Sequence, residues 1–280
     1  FAQKAEGIKR IGVLRADVDN LGQTFVAGFA GKYATLSRTA ALSRQLSIFF
    51  KYYIRSILKN GEYHIDGEKK LTERNATIVY SGGDDVFIVG AWNEVIELSI
   101  DLQEKFKKYT QGTLSISSGI GIYECTYPIG AIANETGEME AESKRMPEKD
   151  SVTFMDDGET HLINELEICD GTYRWEELYK SVLGEKYDVI QDFLGESDER
   201  GMSFLYRMLE LIRNQKEKIN FARFVYLLSR LEPDKEGEKK EKYRKFSRKM
   251  YQWVQSEKDC RELKTAINLY AYMHREKGAH

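Results

Sequence analysis

Tyr80-Ser81-Gly82-Gly83-Asp84-Asp85-Val86 decides the fold. Two apolar runs flank its centre, Ala76-Thr77-Ile78-Val79-Tyr80 and Val86-Phe87-Ile88-Val89-Gly90. Strand-favouring residues broken by paired glycines and aspartates predict a hairpin, because glycine accepts the positive φ that tight turns use. Upstream, Ile11-Gly12-Val13-Leu14-Arg15-Ala16-Asp17 is a further strand signal, and it stops where Asp17-Val18-Asp19-Asn20 begins. Between these strands, Phe25, Phe29, Leu36, Leu42, Leu46, Phe49, Phe50, Tyr53, Ile57 and Leu58 recur at three- and four-residue steps. That spacing predicts one or two long helices lying on a sheet, ending at Asn60-Gly61.

Downstream the pattern predicts a helix over about 93–109, a strand within 114–123, a helix over 129–146 and a strand over 151–155. The order is βαββαβ, then αβ. It specifies an α+β fold, a ferredoxin-like antiparallel sheet with helices on one face, the arrangement used by the palms of polymerases and nucleotidyl cyclases. Beyond Tyr173 the strand signals stop. Trp175, Leu178, Tyr179 and Val182, then Phe204, Leu205, Met208, Leu211 and Ile212, then Phe221, Phe224, Val225, Leu228 and Leu231 keep helical spacing. Residues 1–160 therefore read as a palm domain, 161–172 as a linker and 173–280 as an all-α domain. Within the last, Glu232–Lys242 reads as a charged loop, and Phe246–His274 as two more helices.

In a ferredoxin-like sheet the first strand lies next to the hairpin strand that follows the first helix, which brings Asp17 to Asp84 and Asp85. Carboxylates crowded in this way repel one another and raise each other's pKa unless a cation sits among them. Mg²⁺ or Mn²⁺ suits such oxygen ligands while leaving positions for phosphate. Two such ions serve nucleotidyl transfer by activating a 3′-hydroxyl and stabilising a leaving pyrophosphate. Asp84 and Asp85 are the catalytic candidates, with Asp17 as a metal ligand beside them. Strand alternation puts Asp19 on the same side as Asp17, and a turn role fits it equally.

Around them lie candidates for holding a nucleoside triphosphate. Gly82 and Gly83 let the backbone approach phosphate, and Ser81 offers a hydroxyl. Asn20-Leu21-Gly22-Gln23 leads into a helix whose free N–H groups favour phosphate oxygens, with Asn20 and Gly22 at its start. Lys144, Arg145 and Lys149 supply positive charge. The blander reading is a tight turn whose aspartates cap backbone N–H groups, with the lysines on a solvated surface. The placement of the turn between two strands, downstream of a strand ending Asp-x-Asp, favours the metal site.

Composition narrows the class. With 280 residues, 41% hydrophobic and 12% aromatic, the chain can bury a core in each of two domains. A net charge of −3, from 42 basic and 45 acidic side chains, argues against indiscriminate binding to nucleic acid or anionic membrane. From Ser203 onward 19 Lys and Arg face 11 Asp and Glu, a basic excess that fits a ribonucleoprotein surface or simply a solvated helical face. No apolar run reaches the roughly 18 residues of a membrane span. The start at Phe1, with no initiator Met and no signal peptide, leads us to expect a cytosolic fragment of something longer. Cys125, Cys169 and Cys260 form no C-x-x-C pair and are expected to be small buried side chains.

Ala16-Asp17-Val18-Asp19-Asn20-Leu21-Gly22, Leu36 through Phe50, and Tyr80-Ser81-Gly82-Gly83-Asp84-Asp85 resemble the large subunit of type III-A CRISPR interference complexes, the Csm effector. Gly137–Ser151, Phe221–Arg230 and Thr265–Tyr270 resemble its second palm and C-terminal helical domain. The resemblance implies an enzyme that converts ATP to cyclic oligoadenylate when its complex binds target RNA. It also implies metal held by Asp17, Asp84, Asp85 and the carbonyl of Val18, and partners among the other Csm subunits, crRNA and target RNA. The family's N-terminal HD nuclease, first palm and cysteine-rich zinc element have no counterpart in these 280 residues, so full activity is expected to need that first palm. A diguanylate cyclase of the GGDEF class competes, although Asp85 stands where that class has Glu and Val86 where it has Phe. A non-catalytic palm scaffold for protein or RNA is the other alternative.

Overall fold

The computed structural model describes every residue except 29–30, 69, 157, 196–199, 214–217 and 276–280, with the backbone alone for 32, 200–201 and 218–219. The chain divides into two units, Phe1–Trp175 and Glu176–His280. In chain order the first unit holds β1 (Ile11–Val18), α1 (Leu21–Ala27), α2 (Leu36–Ile48), α3 (Ile54–Lys59), β2 (Ala76–Ser81), β3 (Asp85–Ala91) and α4 (Trp92–Tyr109). It continues with β4 (Ile116–Tyr123), α5 (Ile129–Ser143), β5 (Ser151–Phe154), β6 (Thr160–Ile163), β7 (Leu166–Cys169) and β8 (Thr172–Arg174).

Six of these strands form one sheet in the order β2-β3-β1-β4-β5-β8. β1 pairs antiparallel with β3 and with β4, so the first strand adjoins the second strand of the hairpin rather than the one directly after the helices. The β2-β3-β1-β4 core keeps the ferredoxin-like order. α5 then carries the chain back over the sheet, so that β5 pairs parallel with β4, as a helical crossover requires.

Helices cover both faces of this sheet, not one. Successive side chains of a strand point to opposite faces. A Cβ on Gly12 would lie 2.7 Å from Trp92 Cα, so α4 seats closely on the Gly12 face, where Leu14 and Ala16 are buried. Arg15, of opposite parity, pairs with Glu140 of α5 at 2.8 Å. On that second face Val13 and Val89 pack with Tyr123 and with Ile132 of α5. The helical stretch expected over 25–58 is broken into α1, α2 and α3, with a wider π turn at Phe49–Tyr53 before α3. That turn buries Phe49 and Phe50 against Phe106 of α4, at ring separations of 5.1 and 5.9 Å.

Residues 161–172 are not a linker. They form most of the β6–β7 hairpin and lead into β8, which pairs antiparallel with β5 at the end of the main sheet. Ile168, Cys169, Thr172 and Tyr173 are buried there, which the exposed turn residues around them concealed in the sequence. Cys169 and Cys260 are buried as expected, whereas Cys125 is exposed.

The second unit is helical: α6 (Trp175–Glu177), which starts on the last residue of the first unit, runs into a wide-turned segment Leu178–Tyr187, then α7 (Asp188–Leu194), α8 (Arg200–Arg213), α9 (Lys218–Ser229), α10 (Glu238–Trp253) and α11 (Glu257–His274). The charged stretch 232–242 is loop only to Gly237. From Glu238 it is the first turns of α10, where Lys242 pairs with Glu238 four residues earlier. Phe193 stacks on Phe246 at 4.3 Å, and the buried Lys186 is ringed by Asp259, Glu262 and Trp253. Among the described residues no helix is long and apolar enough to cross a membrane.

Candidate functional site

The site is assembled at one end of the sheet by strand register. Asp17 lies opposite Asp85 in the β1–β3 pair, so alternation places the two on one face, the face that α5 covers. Asp84 sits on the turn just before β3, and the Val18 N–H donates to the Asp84 carbonyl at 3.1 Å, tying the turn to the end of β1. Partial burial, then the charges of Asp17 and Asp85, push the Asp84 carboxyl above the usual range, with Lys144 opposing them.

The glycines of the turn act through their lack of a side chain. Neither Gly82 nor Gly83 has positive φ, so the turn does not use the left-handed backbone expected of a tight hairpin. A Cβ on Gly82 would lie 2.3 Å from Asp85 Oδ1 and 2.6 Å from the Tyr80 hydroxyl, whereas Gly83 faces open space apart from Ser47. The Asp85 charge, followed by partial burial, pushes the Tyr80 hydroxyl up. Ser81 donates its hydroxyl to the Phe50 carbonyl at 2.6 Å, which leaves that oxygen only as an acceptor.

Cationic side chains reach the site from the end of α5. Lys144 Nζ bonds Asp17 Oδ2, and it lies 2.7 Å from Glu140 Oε1. Burial works against a charged Lys144, but its hydrogen bonds to Asp17 and Glu140 outweigh this and raise its pKa. Lys149 Nζ donates to Asn20 Oδ1 at 2.6 Å, at the start of α1. Gly22 lies in the first turn of α1 with open space where a side chain would be. Arg145 turns elsewhere, to Glu142 and to the Glu167 carbonyl. Asp19 is 3% exposed and does not share the open face with Asp17. Its Oδ2 accepts from Ser115 Oγ at 2.7 Å and from the Asp150 N–H at 3.1 Å.

Asp17, Asp84 and Asp85 form an oxygen-only, negatively charged set with Asp84 held partly against ionisation. That chemistry suits a hard divalent cation. Among the described residues, no three His, Cys, Asp or Glu side chains are drawn closely enough to hold an ion. Asp17 and Glu140 close on Lys144 instead. Arg15, Tyr80, Ser115, Glu140 and Asp150 were not singled out from the sequence. Glu140 stands one helical turn before Lys144, a spacing that pairs acid with base and could have signalled it.

Residues 10–153 match the family described as Cas10/Cmr2, second palm domain, and residues 191–276 match the second helical domain of the Cmr2 subunit of the CRISPR RNA silencing complex. The chain is 42% identical over 282 aligned residues to the CRISPR system single-strand-specific deoxyribonuclease Cas10/Csm1 (subtype III-A) of Mycobacterium tuberculosis, covering 99% of this chain and 33% of that protein. It thus spans about a third of the length of such relatives. A crystal structure of a Csm1-Csm4 cassette in complex with pppApApA matches with a TM-score of 0.73 and 25% identity, over 98% of this chain and 38% of the other. One of a Csm1-Csm4 cassette in complex with one ATP matches with a TM-score of 0.67 and 26% identity, over 95% and 37%.

Proposed function

The chain belongs to the Cas10/Csm1 family of type III-A CRISPR systems, as its second palm and the helical domain that follows, and on that premise we propose that the palm uses ATP to make cyclic oligoadenylate. The observation that carries this reading is the register that sets Asp17 opposite Asp85, with Asp84 on the turn beside them. The relative crystallised with one ATP supports adenine nucleotide as the substrate.

Asp17, Asp84 and Asp85, with the Val18 carbonyl, would hold Mg²⁺ or Mn²⁺, which when bound supplies charge to activate an attacking 3′-hydroxyl and to neutralise a departing pyrophosphate. The chain's own groups do the rest. Lys144 and Lys149 meet the triphosphate, Asn20 and the start of α1 direct donors to it, and the side-chain-free turn at Gly82 and Gly83 admits it close to the backbone. Joining two nucleotides needs an acceptor hydroxyl aligned with a donor α-phosphate, and one palm positions one of them, so a facing palm completes the reaction. Other Csm subunits, crRNA and target RNA are the proposed partners. The basic surface of the helical unit is a docking candidate for them, to be checked by cross-linking mass spectrometry of the complex.

The test is mass spectrometry of products formed by the full-length protein in its complex, with ATP, Mg²⁺ or Mn²⁺ and target RNA. Cyclic oligoadenylate that disappears in the Asp84→Ala/Asp85→Ala protein supports the reading. Product unchanged in that variant, or GTP used in place of ATP, overturns it.

A further inference from the structure

Three residues beside the site hold left-handed backbone without being glycine: Asn20 at φ 53°, Lys149 at φ 53° and Asp150 at φ 47°. Asparagine and aspartate adopt this conformation readily, but Lys149 does so at a cost, and such strain persists only where surrounding contacts over-determine it. Those contacts converge on Asp150. Its N–H donates to Asp19 Oδ2 at 3.1 Å, its Oδ1 accepts from Gln103 Nε2 at 3.2 Å, and its carbonyl accepts from the Trp175 N–H at 3.2 Å. Asp19 is fixed in turn, because its N–H donates to the Ser115 carbonyl at 2.9 Å and its Oδ2 accepts from Ser115 Oγ at 2.7 Å. The strained turn places Lys149 Nζ 2.6 Å from Asn20 Oδ1, at the start of α1.

We propose that Asp19 is a positioning residue, whose buried carboxylate clamps the Lys149–Asp150 turn to the end of β1 and so stations Lys149 for the triphosphate. This rests on the nucleotide-site reading above. On this reading Asp19 acts through Lys149 rather than as a metal ligand, although it stands two residues from Asp17 in an Asp-x-Asp pattern and its buried Oδ1 has no hydrogen-bond partner among the described residues. The two roles separate in an Asn variant. An amide oxygen in place of Oδ2 still accepts from Ser115 and Asp150, while an amide is a far poorer ligand for a hard cation than a carboxylate.

The experiment measures ATP affinity with Mg²⁺, and the thermal midpoint, for the full-length protein in its complex carrying Asp19→Asn, Asp19→Ala, Lys149→Ala or the Asp19→Ala/Lys149→Ala pair. Asp19→Asn is expected to stay within about twofold of the unaltered protein, and Asp19→Ala to bind about tenfold more weakly. The pair should bind no more weakly than Lys149→Ala alone, since a clamp has nothing to position once the lysine is gone. If Asp19→Ala fails to assemble, Ser115→Ala gives the same non-additive result at about threefold amplitude. Loss of binding in Asp19→Asn would mark Asp19 as a metal ligand and overturn the inference. Additive losses in the pair, or unchanged binding in Asp19→Ala, overturn it as well. Failure of the unaltered complex to bind ATP would overturn the nucleotide-site reading and this inference together.

Discussion

Arg74, Glu97 and Asp101 make one acidic cluster of the first unit, and Asp17, Asp84 and Asp85 make the other. In the first, the Arg74 guanidinium bonds Glu97, the Tyr63 carbonyl and, at 3.0 Å, Asp101. Backbone N–H groups of Glu62, Tyr63 and Ile65 donate to the two carboxylates at 2.9–3.3 Å. All three side chains are at most 8% exposed. The cluster pins Glu62, Tyr63, Ile65 and Arg74 to α4, and each of these donors is fixed by the fold. At the other cluster the acids face a lysine 26% exposed and a glycine turn, and among the described residues no backbone N–H group from a packed segment donates to the Asp17 or Asp85 carboxylate. Acids saturated by fixed donors hold structure, whereas acids crowded with few fixed donors beside an open turn are available to a ligand.

Removing both turn acids is the most severe way to probe this contrast. Asp84→Ala/Asp85→Ala should lower oligoadenylate synthesis by about a thousandfold or more, as loss of metal-ion charge stabilisation does, while the thermal midpoint stays unchanged or rises. A large drop in midpoint with activity retained would reverse the assignment of the two clusters. Arg74→Met should do the opposite. It strands two buried carboxylates and should cost about 3–5 kcal/mol by denaturant unfolding, as removal of one partner of a buried ion pair does. A cost under about 1 kcal/mol would show that the first cluster is not structural.

Lys144→Ala sharpens the comparison at smaller amplitude. It should weaken ATP binding about tenfold, the scale of one charge-assisted contact, and leave unfolding nearly unchanged because the lysine is partly exposed. Calorimetric titration reads it, and wild-type affinity would remove Lys144 from the site. The mildest effect is a pH slope. Burial, opposed by Arg74 and the Ile65 N–H, pushes the Glu97 carboxyl from 4.5 up to about 7, because one guanidinium serves two acids and a carbonyl. The folded state therefore binds this proton more tightly than the unfolded chain, and Glu97's contribution to stability is lost as pH rises from about 4.5 through about 7. Thermal melts between pH 5 and 8 should show a shallower decline in Glu97→Gln than in the unaltered protein. An identical slope would refute the assignment.

Much of the palm was legible in the sequence, because strands and helices announce themselves through local periodicity. The β2–β3 hairpin, α4, β4, α5 and β5 fall within a few residues of their predicted places. The break of the 25–58 stretch at Phe49–Tyr53 was not legible, since a π turn keeps the apolar spacing of the helix around it. Nor was the β6–β8 segment, whose strands of three or four residues are too short to show alternation. The face covered by α5 was missed for a different reason: Ser117, Gly119 and Gly121 of β4 carry little apolar signal, yet a Cβ on Gly119 would lie 2.5 Å from the Thr136 carbonyl of α5, so its bare backbone lets that helix settle there.

Sequence alone determined the acids of the hairpin turn, the Asp-x-Asp strand that meets them and the lysines after α5, because composition and spacing along the chain are enough to identify such groups. Tertiary structure decided what each partner does. Asp17 and Asp85 face each other because β1 pairs with β3 in that register, while Asp19, two residues away, is buried against Ser115 and Asp150. Lys144 reaches Asp17, and Arg145 beside it turns to Glu142. Adjacent residues share a sequence neighbourhood, but a strand or helix points them in different directions, and pairing across distant segments fixes which of them meet.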